Sequence, residues 1–144
     1  LLIVGHVEKD MMKNINQIKC YKNIKLIDFT VNPEKYINAA DVVCLPSYRE
    51  GFGNIVIEAA SCGKPSIVSN IYGLKDSFIE NKTGFSFDIN KPEQLKEKIL
   101  YCYENKNVIK NLHKNCTNFV EKKFNKDYVT KNLVDYLDNI IKHV

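Results

Sequence analysis

The sequence predicts an α/β domain, an open parallel sheet with helices on both faces and a helical tail behind it. Three observations carry this. Short apolar runs alternate with helical stretches over the first two-thirds of the 144 residues. Those runs are apolar enough to be buried on both faces, as parallel strands are. The last third shows only helical periodicity.

Leu1 to Val4 reads as a buried strand, and Asp10 to Tyr21 as a polar helix. Ile24 to Phe29 is the second strand. Pro33 to Ala40 opens with the residue favoured at a helix start and then spaces Tyr36, Ile37 and Ala40 helically. Val42 to Leu45 is a third strand, stopped by Pro46. Asn54 to Ser61 is a helix, with Gly63 suited to a left-handed terminus and Pro65 barring continuation. Ser66 to Ser69 and Phe85 to Phe87 complete the strands. Three helical stripes follow: Leu95, Ile99 and Cys102; Val108, Leu112, Cys116, Phe119 and Val120; then Val129, Leu133, Tyr136, Leu137, Ile140 and Ile141. With no repeat or long linker, residues 1–144 read as one domain.

Composition narrows the function classes. No window approaches the roughly 20 apolar residues of a membrane span. No basic stretch precedes the first apolar run, so no signal peptide is expected. The chain lacks an initiator Met and is expected to be a piece of a longer polypeptide. Its five cysteines are widely spaced with no CxxC pair, which fits a reducing compartment and buried small hydrophobes. The net charge of +4 comes from Lys91 onward, with eleven Lys against seven acids, while Arg49 is the only arginine. Dispersed lysines suit a solvated face, and an Arg-poor chain suits base-specific nucleic-acid readout badly.

The stretch "SYREGFGNIVIEAASCGKP", Ser47 to Pro65, carries the chemistry. Ligands of open parallel sheets bind at the carboxyl ends of the strands, where this loop would lie. Gly51 and Gly53 would allow unusual torsions and close approach of a ligand. Free N–H groups near Gly53 and Asn54, at the positive end of the helix, favour an anion, most commonly a phosphate. Glu50 can sit at the loop's mouth, and Glu58, about a turn into the helix, leans back toward its N-terminus. A carboxylate repels phosphate but accepts charge-assisted bonds from sugar hydroxyls. An anion site between two such acids suits a nucleotide sugar. The structural alternative stays open: Glu58 favouring the helix dipole and Glu50 capping. Gly51-Phe52-Gly53 is a poor dinucleotide turn, since Val56 stands where a third glycine belongs.

"PSYREGFGNIVIEAASCGKP" resembles the signature of the family 4 retaining glycosyltransferases, which have the Rossmann-like GT-B fold. It holds two glutamates, Glu50 and Glu58, with seven residues between them, the first followed by Gly-Phe-Gly and the second by Ala-Ala. "NPEKYINAADVVCLPS", "CGKPSIVSN", "YGLKD" and "ENKTGFSFD" resemble further segments in the right order, so the likeness spans roughly Leu1 to Leu100. The resemblance implies one half of a GT-B fold, the nucleotide-sugar-binding C-terminal domain, cut near its N-terminal edge. It implies Glu58 on the ribose hydroxyls and Glu50 as the catalytic carboxylate at the donor sugar, contacting its hydroxyls and aiding charge development at the anomeric carbon. It also implies Gly51 and the strip Phe52, Gly53 and Asn54 on sugar and diphosphate, and Thr30 and Val31 at the base.

The partners implied are a UDP- or GDP-type sugar and an N-terminal acceptor domain that this chain lacks. No cofactor, metal or nucleic acid is implied. The full enzyme would be a metal-independent hexosyltransferase of bacterial surface-polysaccharide synthesis. It would be cytoplasmic, with peripheral association at the inner face of the membrane. The last helix would cross back to the other domain, leaving an apolar face exposed here.

Departures accompany the likeness. Asp28 stands where the family has Gly, Tyr72-Gly73 replaces Gly-Gly, and Asp76 replaces Glu. The upstream Arg and Lys that neutralise the leaving diphosphate are missing, so the chain alone is expected to be inactive. The rivals are a non-catalytic nucleotide-sugar-binding module and a GT-B-fold epimerase; a phosphorylase would need a cofactor-lysine motif that is not found.

Several other residues have expectations attached. The resemblance implies that Lys64 and Lys75 border the cleft; Arg49 would pair with an acid or reach a phosphate. His6 would lie at the ligand edge, while His113 and His143 would face solvent. Thr83-Gly84 reads as a turn. No His/Cys/Asp cluster has metal-ligand spacing.

Overall fold

The computed structural model describes residues 1–7 and 11–142. It groups the chain into two compact units, Leu1–Ala39 and Ala40–Val144. The first strand, β1 (Leu2–Val4), pairs in parallel with β2 (Lys25–Ile27), Ile3 opposite Leu26. Between them runs α1 (Met12–Ile18), and α2 (Pro33–Ala39) follows. Both α1 and β2 are shorter than the sequence suggests. The expected helix start, Asp10, lies outside the described residues. At β2 the Asp28 carboxylate accepts the Phe29 N–H at 2.7 Å, which takes that donor away from the ladder.

The second unit holds a three-stranded parallel sheet in the order β3 (Val43–Leu45), β4 (Ser66–Ser69), β5 (Gly84–Phe87). Among the described residues the strands thus form two parallel sheets. α3 (Asn54–Ser61) joins β3 to β4 and begins and ends where the sequence places it. A 3₁₀ turn at Tyr72–Leu74 lies between β4 and β5. α4 (Pro92–Glu104), α5 (Lys106–Lys123) and α6 (Lys126–Lys142) follow.

β4 is buried along its whole length, as a strand covered on both faces should be. Its neighbours Ile67 and Val68 point to opposite faces. Ile67 joins Phe85, Phe87, Cys102, Ile109 and Leu112, the side built by α4 and the start of α5. Val68 joins Val56 of α3 and Leu74 of the 3₁₀ turn. The architecture is therefore α/β and Rossmann-like, with a helical tail.

α3 ends in a Schellman motif: the Lys64 N–H donates to Ala59 O (2.8 Å) and the Gly63 N–H to Ala60 O (2.9 Å). Gly63 takes φ +70°, the left-handed value its position demands. α6 buries none of its residues, and Val129, Leu133, Tyr136, Leu137, Ile140 and Ile141 are all exposed. Among the described residues no helix is long and apolar enough to cross a membrane.

Candidate functional site

The loop from Pro46 to Gly53 leaves the carboxyl end of β3 and enters α3. Two contacts fix Glu50. Its Oε1 accepts a hydrogen bond from Ser47 Oγ at 2.7 Å, and both residues are half-buried. Its carbonyl lies against Gly73, where an added Cβ would come within 1.8 Å of Glu50 O. The 3₁₀ turn thus seats directly on the loop's backbone. Neither contact is local in the sense a periodicity shows. Sequence reasoning missed Ser47, for which the only signal was a hydroxyl three residues before the acid.

The glycines act differently from expectation. Neither Gly51 nor Gly53 has a positive φ. Gly53 sits at φ −77°, ψ 69° and the Asn54 N–H donates to Phe52 O at 2.9 Å, which together make an inverse γ-turn. The Asn54 N–H is therefore spent inside the loop and is not free as anticipated. Val56 N–H donates to Gly53 O (2.9 Å), while the N–H groups of Gly53 and Ile55 find no partner among the described residues. Gly53 is tightly enclosed: a Cβ would stand 2.6 Å from Leu74 Cδ2 and 3.0 Å from Ser77 Oγ, buried side chains that would have to shift. Around Gly51, by contrast, a Cβ would meet nothing within 4 Å.

On α3, Val56, Ala59 and Ala60 are buried. Asn54 and Glu58, four apart and both exposed, share the outer face of the helix, on which Cα–Cβ bonds tilt toward the N-terminus. Phe52 is anchored by its ring. It packs on Phe124 at a centroid distance of 5.8 Å, and Phe124 packs edge-on against Phe119 at 5.3 Å. Phe124 caps the C-terminus of α5. No motif linked it to the loop.

Other expected contributors separate from this group. Lys64 lies past the opposite end of α3, by His113, whose pKa is depressed by burial first and by the Lys64 charge second. It follows the helix C-terminus and does not border the loop. His113 is half-buried and packs near Gly63, correcting its solvent-facing assignment; His143 lies outside the described residues. Lys75 stands 5.8 Å over the Tyr72 ring, beside the turn that seats on Glu50. Arg49 is exposed and forms no ion pair among the described residues. Thr83 closes a turn, its Oγ1 accepting the Ile79 N–H at 2.7 Å.

In the first unit, Thr30 Oγ1 accepts the Asn32 N–H at 3.1 Å, and Val31 is exposed. His6 Nδ1 lies 3.7 Å from Asp28 Oδ1. Among the described residues no three His, Cys, Asp or Glu side chains gather as metal ligands. A depression of about 450 Å³ at the α4–α5 corner, lined by Tyr103 to Val108, lies at the far end of α5 from Phe124 and contains neither glutamate of the loop.

A parallel α/β fold with an acid-bearing loop at the carboxyl end of a strand defines the class as a Rossmann-like unit, whose ligands lie at such strand ends. The chain belongs to the family of Glycosyl transferases group 1, whose model matches residues 1–123. It is 28% identical over 145 residues to the capsular polysaccharide biosynthesis glycosyltransferase CapM of Staphylococcus aureus, covering 99% of this chain and 38% of that protein. It overlays Anabaena Alr3699/HepE, solved in complex with UDP, with TM-score 0.85 at 19% identity, covering 96% of this chain and 40% of the other. The C-terminal domain of a glycosyl transferase group 1 family protein (LpcC) from Francisella tularensis overlays with TM-score 0.75 at 17% identity, over 87% of this chain and 69% of that one. The chain thus spans well under half the length of the full-length relative CapM.

Proposed function

We propose that this chain is the donor-binding, C-terminal half of a retaining, metal-independent hexosyltransferase of family 4. The observation that carries the reading is the arrangement around α3: a half-buried Glu50 held by Ser47 before the helix, Gly53 and Ile55 N–H groups with no partner among the described residues, and Glu58 on the exposed outer face. The Gly53 and Ile55 amides and the helix dipole meet the diphosphate charge. Glu58 accepts the ribose hydroxyls. Glu50 accepts a hydroxyl of the donor sugar and stabilises positive charge developing at the anomeric carbon. The open space at Gly51 lets the sugar approach the backbone closely. A UDP- or GDP-type sugar is the donor.

In the full enzyme, the bond between the anomeric carbon and the diphosphate oxygen breaks as the acceptor oxygen bonds to the same face. The hydroxyl proton leaves with the diphosphate. CapM's role supports surface-polysaccharide synthesis as the setting, with an acceptor domain supplied by the rest of the protein. We place that enzyme in the cytoplasm, peripherally at the inner membrane face. The chain alone should bind donor without turning it over.

Calorimetric titration of the chain with UDP-, GDP- and ADP-sugars tests the reading. One nucleotide class should bind, and E58A should weaken it by about 1.5–3 kcal/mol, roughly ten- to a hundredfold. Equal affinity in parent and E58A would remove the ribose role and with it the donor site.

A further inference from the structure

We propose that Ser47 is a positioning residue for Glu50, holding the carboxylate in the one orientation that reads the donor sugar; the inference rests on the donor-site reading above. Three observations lead to it. First, Ser47 Oγ reaches Glu50 Oε1 at 2.7 Å, the length of a charge-assisted O–H···O⁻ bond. A serine serving only the turn would bond a backbone N–H two or three residues on. Ser47 donates to a side chain instead.

Second, this is the only hydrogen bond to the Glu50 carboxylate among the described residues. Oε2 is left for ligand hydroxyls, and without Ser47 no hydrogen bond from the described residues holds the carboxylate. Third, both ends of the bond stand on fixed backbone. Ser47 follows Pro46 at the end of β3, whose Leu45 carbonyl accepts from Ser69 Oγ on β4 at 3.5 Å. Glu50 is seated against Gly73. A fixed donor and a fixed acceptor define one side-chain geometry, and groups at reacting centres gain most from such fixing.

The test separates positioning from folding. The chain is titrated with UDP and GDP, then with UDP-glucose and GDP-mannose, and the ratio of sugar-nucleotide to nucleotide affinity is taken. S47A should lower that ratio roughly three- to tenfold, leaving the affinity for the bare nucleotide within about twofold. S47T, which keeps the hydroxyl, should restore the ratio. S47C, near in volume but a weaker donor, should fall with S47A and serves if S47A does not fold. An unchanged ratio in S47A and S47C while E50A lowers it would overturn the role of Ser47 and leave the donor site standing. Equal weakening of nucleotide and sugar nucleotide would make Ser47 structural and also overturn it. A parent chain that binds neither nucleotide would overturn the donor-site reading and this inference with it.

Discussion

Gly73 and Glu50 are in contact so close that no other residue fits: a Cβ at Gly73 would lie 1.8 Å from the Glu50 carbonyl oxygen and 3.2 Å from that of Gly51. The clash is with backbone, so no side chain can swing aside. G73A must therefore move either the 3₁₀ turn or the acid loop. We expect a loss of about 1–3 kcal/mol in urea denaturation, the range for overpacking a closed contact. Because the loop moves, donor affinity should fall as well. G51A, placed in open space, should leave stability within about 0.5 kcal/mol.

Phe124 holds the loop from the other side through Phe52. F124A removes two ring contacts, each worth about 0.5–1.5 kcal/mol beyond the area they bury. Denaturation should show the sum, and F124L should recover part of it. An F124A midpoint equal to the parent's would mean that the ring does not anchor the loop.

Cys116 should be inert in the native state. It is fully buried, its thiol lies 3.6 Å from Thr83 O, and burial pushes its pKa up to about 11. Thiolate is the reactive form, so at pH 8 alkylation by iodoacetamide should label exposed Cys20 rapidly and Cys116 only after denaturation. Mass spectrometry of the labelled peptides reads both.

His113 gives a pH dependence with a definite sign. Burial lowers its pKa first, then the neighbouring Lys64, with Lys110 adding a smaller push and Asp41 opposing. The unfolded chain therefore takes up the proton at higher pH, near 6.5, than the folded one does. Stability from this site is complete above that value and is lost as pH falls through the window below it. H113N should flatten that part of the thermal-melting profile between about pH 7 and 5.

What was legible in the sequence was local. α3 and β4 fall where periodicity and the Gly63–Pro65 signal place them, and the Schellman geometry at Gly63 follows from a single residue type. β2 ran short because an adjacent carboxylate took a ladder donor, a competition that apolar patterning does not register. The seating of Gly73 on Glu50 and of Phe124 on Phe52 joins segments distant along the chain, and only the folded backbone brings them together. The same holds for Lys64. The family layout puts it at the cleft, but a helix separates it from the loop, and its charge acts on His113 instead.

A crystal structure of the chain with UDP-glucose bound tests the central proposal most directly. The account predicts ribose hydroxyls on the Glu58 carboxylate, the diphosphate on the Gly53 and Ile55 amides, and a glucose hydroxyl on Glu50 Oε2 with the Ser47 bond intact. A nucleotide bound elsewhere, with both carboxylates turned to solvent, would contradict it.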